Sequence, residues 1–344
     1  MTRSLPNVAD VARLAGVSTA TVDRVLHKRP GVRTATVQRV VQAAAQLEYL
    51  PRHELHAALA PEPMQLLFVL PDRSSFFLRM LGEWVGYSQE HWAPFNVNCK
   101  TAFIQSFDPD ALAGMLRRRG PKVDGVAFMA LEHPLVREAV DVLAERGIPS
   151  ITLVSDLSHS RRVAYVGLDN RAAGRTSAYL IGRFLGPARR AKVAMIAGSL
   201  SYRAHEEREA GFMQLLAEQY PQLQVLDLRE GYDDERTNYR QTRALLEQHP
   251  DLAAIYNIGG ASEGVARALK EAGQEHRVVF IGHGLTPDTR ALLIDGTMDA
   301  VINQSPQSAI LTCVRMFTNL RDRRDLMSGV EATRSQVIFR ENLP

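Results

Sequence analysis

The chain has 344 residues, 45% hydrophobic and 23% charged, a composition that excludes general disorder, and its length allows two or three domains. Net charge is only +3, but residues 1–60 hold eight Arg or Lys against four Asp or Glu while the remainder holds 33 against 34, so a basic head precedes a near-neutral body. No run approaches the roughly 18–20 apolar residues of a membrane span and the first residues lack the apolar stretch of a secretory signal, so a cytoplasmic chain with no membrane partner is expected.

In chain order, Val8, Val11, Ala12 and Ala15 fall at i, i+3, i+4 and i+7, one face of a helix, with Asn7 as its N-cap and Gly16 as its end. Ser18 can cap a second helix whose Val22, Val25 and Leu26 share a side, and "KRPGV" closes it. A third helix from about Thr34 carries the stripe Val37, Val40, Val41, Ala44 and Leu47. Three short helices around one core are expected. Opposite the core stripe of the second helix lie Ala20, Asp23, Arg24 and His27, with Thr19 beside them. Small hydrogen-bonding residues at the start of a short helix, an arginine one turn on and a Gly turn before it suit insertion into a DNA major groove, where arginine can hold guanine O6 and N7.

The stretch "VADVARLAGVSTATVDRVLHKRPGVRTATVQRVVQAAAQLEYLPR" resembles the DNA-binding head of the LacI/GalR family of transcriptional repressors over all three helices, including "VARLAGVS", "TV.RVL" and "L.Y.P". The resemblance implies a helix-turn-helix domain over residues 1–51, with Thr19, Ala20 and Arg24 reading bases and Ser18, Thr21, His27, Arg33 and Thr36 holding the DNA backbone. Asp23 stands where the family usually has Ser, so it is expected to accept from a cytosine amino group or to orient Arg24. A hinge over residues 52–63 would wedge a leucine into the minor groove. Counted from Tyr49, that wedge position holds Ala58, with Leu59 next to it and Leu55 one turn before. The local "HELH" spaces His53 and His56 three apart rather than the four of HExxH, and no metal is expected there.

From Gln65 onward, short apolar runs alternate with helical stretches: "QLLFVL" then 76–92, "VDGVAFMA" then 134–146, "SITLVS", "VAYVGL" then 170–185, "KVAMIAG" then 205–219, "LAAIYNI" then 261–272, "RVVFIG" then 287–294, and "DAVINQ" then 306–322. About nine units exceed one comfortable sheet, so two doubly wound parallel-sheet subdomains are expected, with ligand held at the carboxyl ends of strands. Cys99 and Cys313 belong to no CxxC-type pair and read as reduced core thiols. "NIGGASEG" lacks the spacing of a nucleotide-binding glycine loop, and no GxSxG elbow or metal-ligand cluster stands out, so neither catalysis nor a cofactor is expected.

The body is similar to type I periplasmic sugar-binding proteins, the ligand domain that the LacI/GalR family shares. The resemblance implies a ligand and dimerisation domain over 64–344, with an N-subdomain of about 64–168 plus 302–325 and a C-subdomain of about 169–301 plus 326–344. On the quoted motifs "LPDRSSFF", "LDNRAAGRTSAYLI", "REAGF" and "INQSP" it implies ligand contacts from Phe76, Phe77, Arg208 and Gln304. The acceptors usual in sugar binders are replaced by Val154, by "NIGG" and by Gly284 in "IGHGLT", while Arg203, His205, Arg208 and His283 bring basic groups. His283 is a candidate contact, and Asp156 and Asn257 could compensate for the missing acceptors. The expected function is that of a homodimeric repressor, responsive to a small molecule, on palindromic operator DNA. Its expected effector is a sugar or sugar derivative, with an acidic or phosphorylated one preferred for Arg208 and a neutral sugar still open. A free solute-binding protein and a nucleotide-dependent enzyme are the alternatives.

Overall fold

The structure is a computed structural model, and it describes residues 6–27, 29–49, 62–72, 75–86, 92–105, 107–186 and 189–344. The chain divides into two compact units, residues 1–63 and 64–344. The hinge positions Leu55, Ala58 and Leu59, and His53 and His56, lie outside the described residues.

The head is three helices whose limits are set by local chemistry. In α1 (Val8–Ala15) Asn7 Oδ1 accepts from the N–H groups of Ala9 and Asp10 while the Asp10 carboxylate accepts from Asn7 N–H, a reciprocal cap that satisfies orphan donors at the helix start. Gly16 ends it at φ 65°, where a side chain would be strained. Ser18 Oγ caps α2 (Thr19–Leu26) by accepting from Thr21 N–H at 3.2 Å, and α3 (Thr34–Gln46) completes the bundle. Val11, Ala12, Ala15, Val22, Val25, Val40, Val41, Ala43 and Ala44 form its core, and Val8, Leu26, Val37 and Leu47 pack at the edge. The stripes read from spacing therefore converge as their periodicity requires.

The body contains two sheets. The first runs in the order β2-β1-β3-β4-β5, all parallel, from β1 (Met64–Pro71), β2 (Val97–Ile104), β3 (Gly125–Phe128), β4 (Ser150–Leu153) and β5 (Ala164–Val166). Between these strands lie α4 (Phe76–Gly86), α5 (Pro109–Arg119) and α6 (Pro134–Glu145). The chain then passes into α7 (Asn170–Leu185), β6 (Ala191–Ala197), α8 (Arg203–Gln219), β7 (Leu223–Val225), β8 (Arg229–Glu230), α9 (Glu235–Gln248), β9 (Leu252–Asn257), α10 (Ser262–Glu271), β10 (Val279–His283), α11 (Pro287–Ile294) and β11 (Ala300–Asn303). The second sheet runs β12-β11-β10-β9-β6-β7, where β12 is the late strand Gln336–Ile338, with β8 also on β6. After β11 the chain crosses back: Ala309, Ile310, Cys313, Val314 and Phe317 of α12 (Pro306–Arg321) join the core of the first sheet. It returns once more as β12 (Gln336–Ile338), the one antiparallel edge strand of the described sheets. Cys99 and Cys313 are buried in the first core and unbonded, and burial pushes both thiols up, Cys99 to about 12.

Two features differ from the sequence reading. The crossings fall slightly later than expected, because Ile302 still pairs within the second sheet and Leu326 and Val330 pack on the core of the first. β2, α5, α9 and β12 were not legible as strand–helix units. β2 is an edge strand with alternating burial rather than a continuous apolar run, and α9 buries only Asn238, Thr242 and Leu245 along a strongly polar sequence.

Candidate functional site

On the head, Ser18, Thr19, Ala20, Arg24, His27 and Arg33 are exposed, and Thr21 and Thr36 are partly so. Ser18 Oγ also meets Thr21 Oγ1 at 2.9 Å, so both hydroxyls are held at the mouth of α2. The Arg24 guanidinium has no partner among the described residues. Asp23 does not orient it. Its carboxylate lies 3.1 Å from His27 Nδ1 and 3.2 Å from Arg29 Nη1, so it is engaged by those two side chains and not by Arg24. A free guanidinium on an exposed helix face is what direct reading of a base edge requires.

In the body a small cleft of about 70 Å³ opens between the ends of the two sheets. Of the residues proposed from sequence, Phe77, Arg208, His283 and Gln304 line it together; Phe76, Asp156 and Asn257 do not. Phe76 lies under the Arg79 guanidinium, 3.8 Å from its ring centre. Asp156 is tied to Arg162 and accepts from Thr152 Oγ1 at 2.6 Å, interactions that hold its carboxyl below the ordinary range against the opposing effect of burial. Asn257 is fully buried and donates to Gly260 O and Ser262 Oγ, so it shapes the turn after β9 instead of reaching a ligand. Arg203 pairs with Glu207 at 2.7 Å in a separate open groove.

Arg208 is placed by an intimate helix crossing. A Cβ on Gly174 of α7 would stand 2.0 Å from Arg208 O, and one on Gly211 of α8 would stand 2.1 Å from Arg171 O, so the glycines of "RAAG" and "REAG" let the two backbones touch. Arg208 Nε then donates to Asn170 Oδ1 at 2.8 Å and Nη1 to Ile258 O at 2.8 Å, while Asn170 is itself fixed by Tyr165 OH at 3.0 Å. The guanidinium is buried at 5% exposure, and its hydrogen bonds go to neutral groups. His283, on β10, meets Tyr256 OH through Nε2 at 2.8 Å, and its Nδ1 is shielded from solvent with no partner among the described residues. Gln304 Oε1 is equally unpartnered. His205 Nδ1 engages the Ser199 backbone; burial and then the charge of Arg208 push its pKa down to about 3, and the same causes in the same order hold His283 well below the histidine range. Both imidazoles are therefore neutral.

The residue that sequence reading missed is Asp233. It lines the cleft, and its Oδ1 accepts from Gly260 N–H at 2.6 Å. Tyr232 and Asp233 both take left-handed conformations, φ 54° and 52°, which bend the loop after β8 inward. Space for the carboxylate comes from glycine: a Cβ on Gly198 would stand 2.5 Å, and one on Gly259 2.4 Å, from Asp233 Oδ1. Thus "NIGG", which removes an acceptor from one strand end, makes room for a carboxylate arriving from another. The sequence signal was the Gly-Gly turn; its partner, 27 residues earlier, was not deducible from it. At Gly284 the missing acceptor has a different cause, since the backbone there is left-handed, φ 77°, a conformation in which a side chain is strained.

Residues 7–52 match the profile described as bacterial regulatory proteins, lacI family, and residues 100–324 match the periplasmic binding protein domain. The chain belongs to the periplasmic binding protein family and carries a LacI-family head. It is 27% identical over 218 residues to the HTH-type transcriptional repressor PurR of Vibrio cholerae, covering 62% of this chain and 61% of that one. It is 30% identical over 189 residues to the ribose import binding protein RbsB of Escherichia coli, covering 55% of this chain and 62% of that one. The alignments thus span about three-fifths of either relative. The glucose-galactose binding protein GanP of Geobacillus stearothermophilus shares the fold of the binding-protein body, with TM-score 0.73 at 23% identity over 83% of this chain and all of that one. Among the described residues no helix is long and apolar enough to cross a membrane.

Proposed function

We propose that the protein is a transcriptional repressor that binds operator DNA through Arg24 and its neighbours and answers to a small sugar-like effector held in the body. One observation carries this reading: a single chain combines an exposed face of α2, bearing an arginine without a partner among the described residues, with a cleft lined by polar atoms that also lack one. Thr19, Ala20 and Arg24 read bases; Ser18, Thr21, His27, Arg33 and Thr36 hold phosphates; Phe77, Arg208, His283 and Gln304 hold the effector. The protein works in the cytoplasm as a homodimer, each copy giving one helix to half of a palindromic site. Its effector acts by binding one arrangement of the two subdomains better than another. The names of PurR and RbsB support the two halves of this reading separately. The test is an electrophoretic shift of DNA from upstream of its own gene, with and without D-ribose, D-galactose and their phosphates. Sequence-specific retardation changed by one of these compounds is expected; no retardation at micromolar protein and low salt would refute the DNA-binding role.

A further inference from the structure

The pocket holds one buried guanidinium, one carboxylate, two neutral imidazoles and a side-chain amide. From the sequence, three acceptors are absent from the strand ends, so that Arg208 would face the ligand alone and favour an anion. The geometry removes that premise. Asp233 shares the cleft with Arg208, and its partner groups are a single backbone N–H and the field of the guanidinium, against which burial raises its pKa. We propose that Asp233 is the specificity-determining residue of the effector site, balancing the charge of Arg208 and restricting the pocket to ligands that offer hydroxyl donors and carry no net charge. This rests on the reading that the cleft is the effector site.

Three observations converge on it. The backbone accepts two successive left-handed residues, Tyr232 and Asp233, and three glycines, Gly198, Gly259 and Gly260, flank the carboxylate, so the loop is built around that side chain. Gln304 Oε1 has no partner among the described residues, and this acceptor beside the Asp233 carboxylate calls for a ligand rich in O–H. A hydroxyl can also accept from Arg208 or from His283, whereas a phosphate can only accept and would add charge beside Asp233 with no free cation to match it. Phe77, Leu78, Met129 and Ile302 supply apolar walls suited to the C–H faces of a polyol.

The test is isothermal titration of the full chain and of Asp233→Asn with D-ribose, D-galactose and myo-inositol, and with D-ribose 5-phosphate and D-galacturonate. Asparagine keeps an oxygen that can accept from Gly260, removes the charge and replaces the other acceptor by an N–H2 donor. The wild-type chain is expected to bind at least one neutral probe 100-fold or more tighter than either anion. In D233N that affinity falls tenfold or more and the neutral-to-anion ratio falls with it. A wild-type preference for an anion, a ratio unchanged in D233N, or a folded wild-type chain that binds none of the neutral probes would each overturn the proposal. Should D233N melt below the assay temperature, the wild-type ratio decides alone. DNA retardation is read separately, so a chain that shifts DNA but fails this ratio refutes the specificity of Asp233 and leaves the repressor reading standing.

Discussion

Head and body carry their chemistry in opposite places. Among the described residues the head buries only apolar side chains and displays its polar groups within residues 18–36 on the surface. The body does the reverse: Arg208, His205, Asn257 and Gln304 are buried, and the residues around its cleft come from a stretch running from Ser75 to Gln304. A side chain that reads DNA has to be reachable and unpaired in the free protein, so it contributes little to folding. A small-ligand site has to exclude water, so its polar groups are held by the same hydrogen bonds that hold the fold. In the head, the exposed polar groups and the apolar core are therefore separable; in the body the polar groups of the cleft are also among those that hold the fold.

The strongest way to break this contrast is Arg208→Ala. It strips Asn170 Oδ1 and Ile258 O of their donor and Asp233 of its counter-charge. The expected cost to the body is about 3–5 kcal/mol, the range for removing one partner from a buried charged network, together with loss of the effector response. Chemical denaturation measures the first, and a loss under 1 kcal/mol would mean that the guanidinium is not structurally held. At a temperature where the body stays folded, operator retardation should survive.

Acid sharpens the contrast next. His205 is held down to about 3 in the folded body, against an ordinary value near 6.5, so between these limits the unfolded chain binds a proton that the folded chain does not. The contribution is complete above about pH 6.5 and is lost as pH falls toward 3, with a slope of about 1.4 kcal/mol per pH unit for one proton. His283 acts in the same direction, while Asp233, raised by burial, opposes both. Denaturation midpoints of the body between pH 6.5 and 5 should fall, and His205→Gln should remove about one proton from that slope. An unchanged slope would show that His205 ionises in the folded state.

The smallest effects belong to the head. Arg24→Ala is expected to cost about 1–3 kcal/mol at a single operator base pair and to leave the melting of the body unmoved. Arg33→Ala should weaken every sequence alike and lower the salt slope by about one. Equal weakening of all sites by Arg24→Ala would end its assignment as a base reader.

By itself the sequence determined the head almost completely, because each of its features is settled within four or five residues: the Asn7 and Ser18 caps, the left-handed Gly16, the i, i+3, i+4 stripes. It also determined the alternation that makes the body doubly wound, and it located Arg208, whose neighbouring Gly211 reports a helix crossing. It did not show the edge strand β2 or the polar helix α9, whose burial is partial and leaves no strong period. Nor could it show that Asp156 would be taken by Arg162 and Asn257 by the turn that follows it, since a side chain's first partner is chosen by the nearest group in space. Asp233 is the clearest case. Nothing in "GYDDER" distinguishes a cleft carboxylate from a helix-capping one, and the adjacent Asp234 is in fact the cap of α9. Only the packing of the loop after β8 against the glycines that follow β6 and β9 decides which of the two faces the cleft, because the room for a carboxylate at that point is made by residues far from it along the chain.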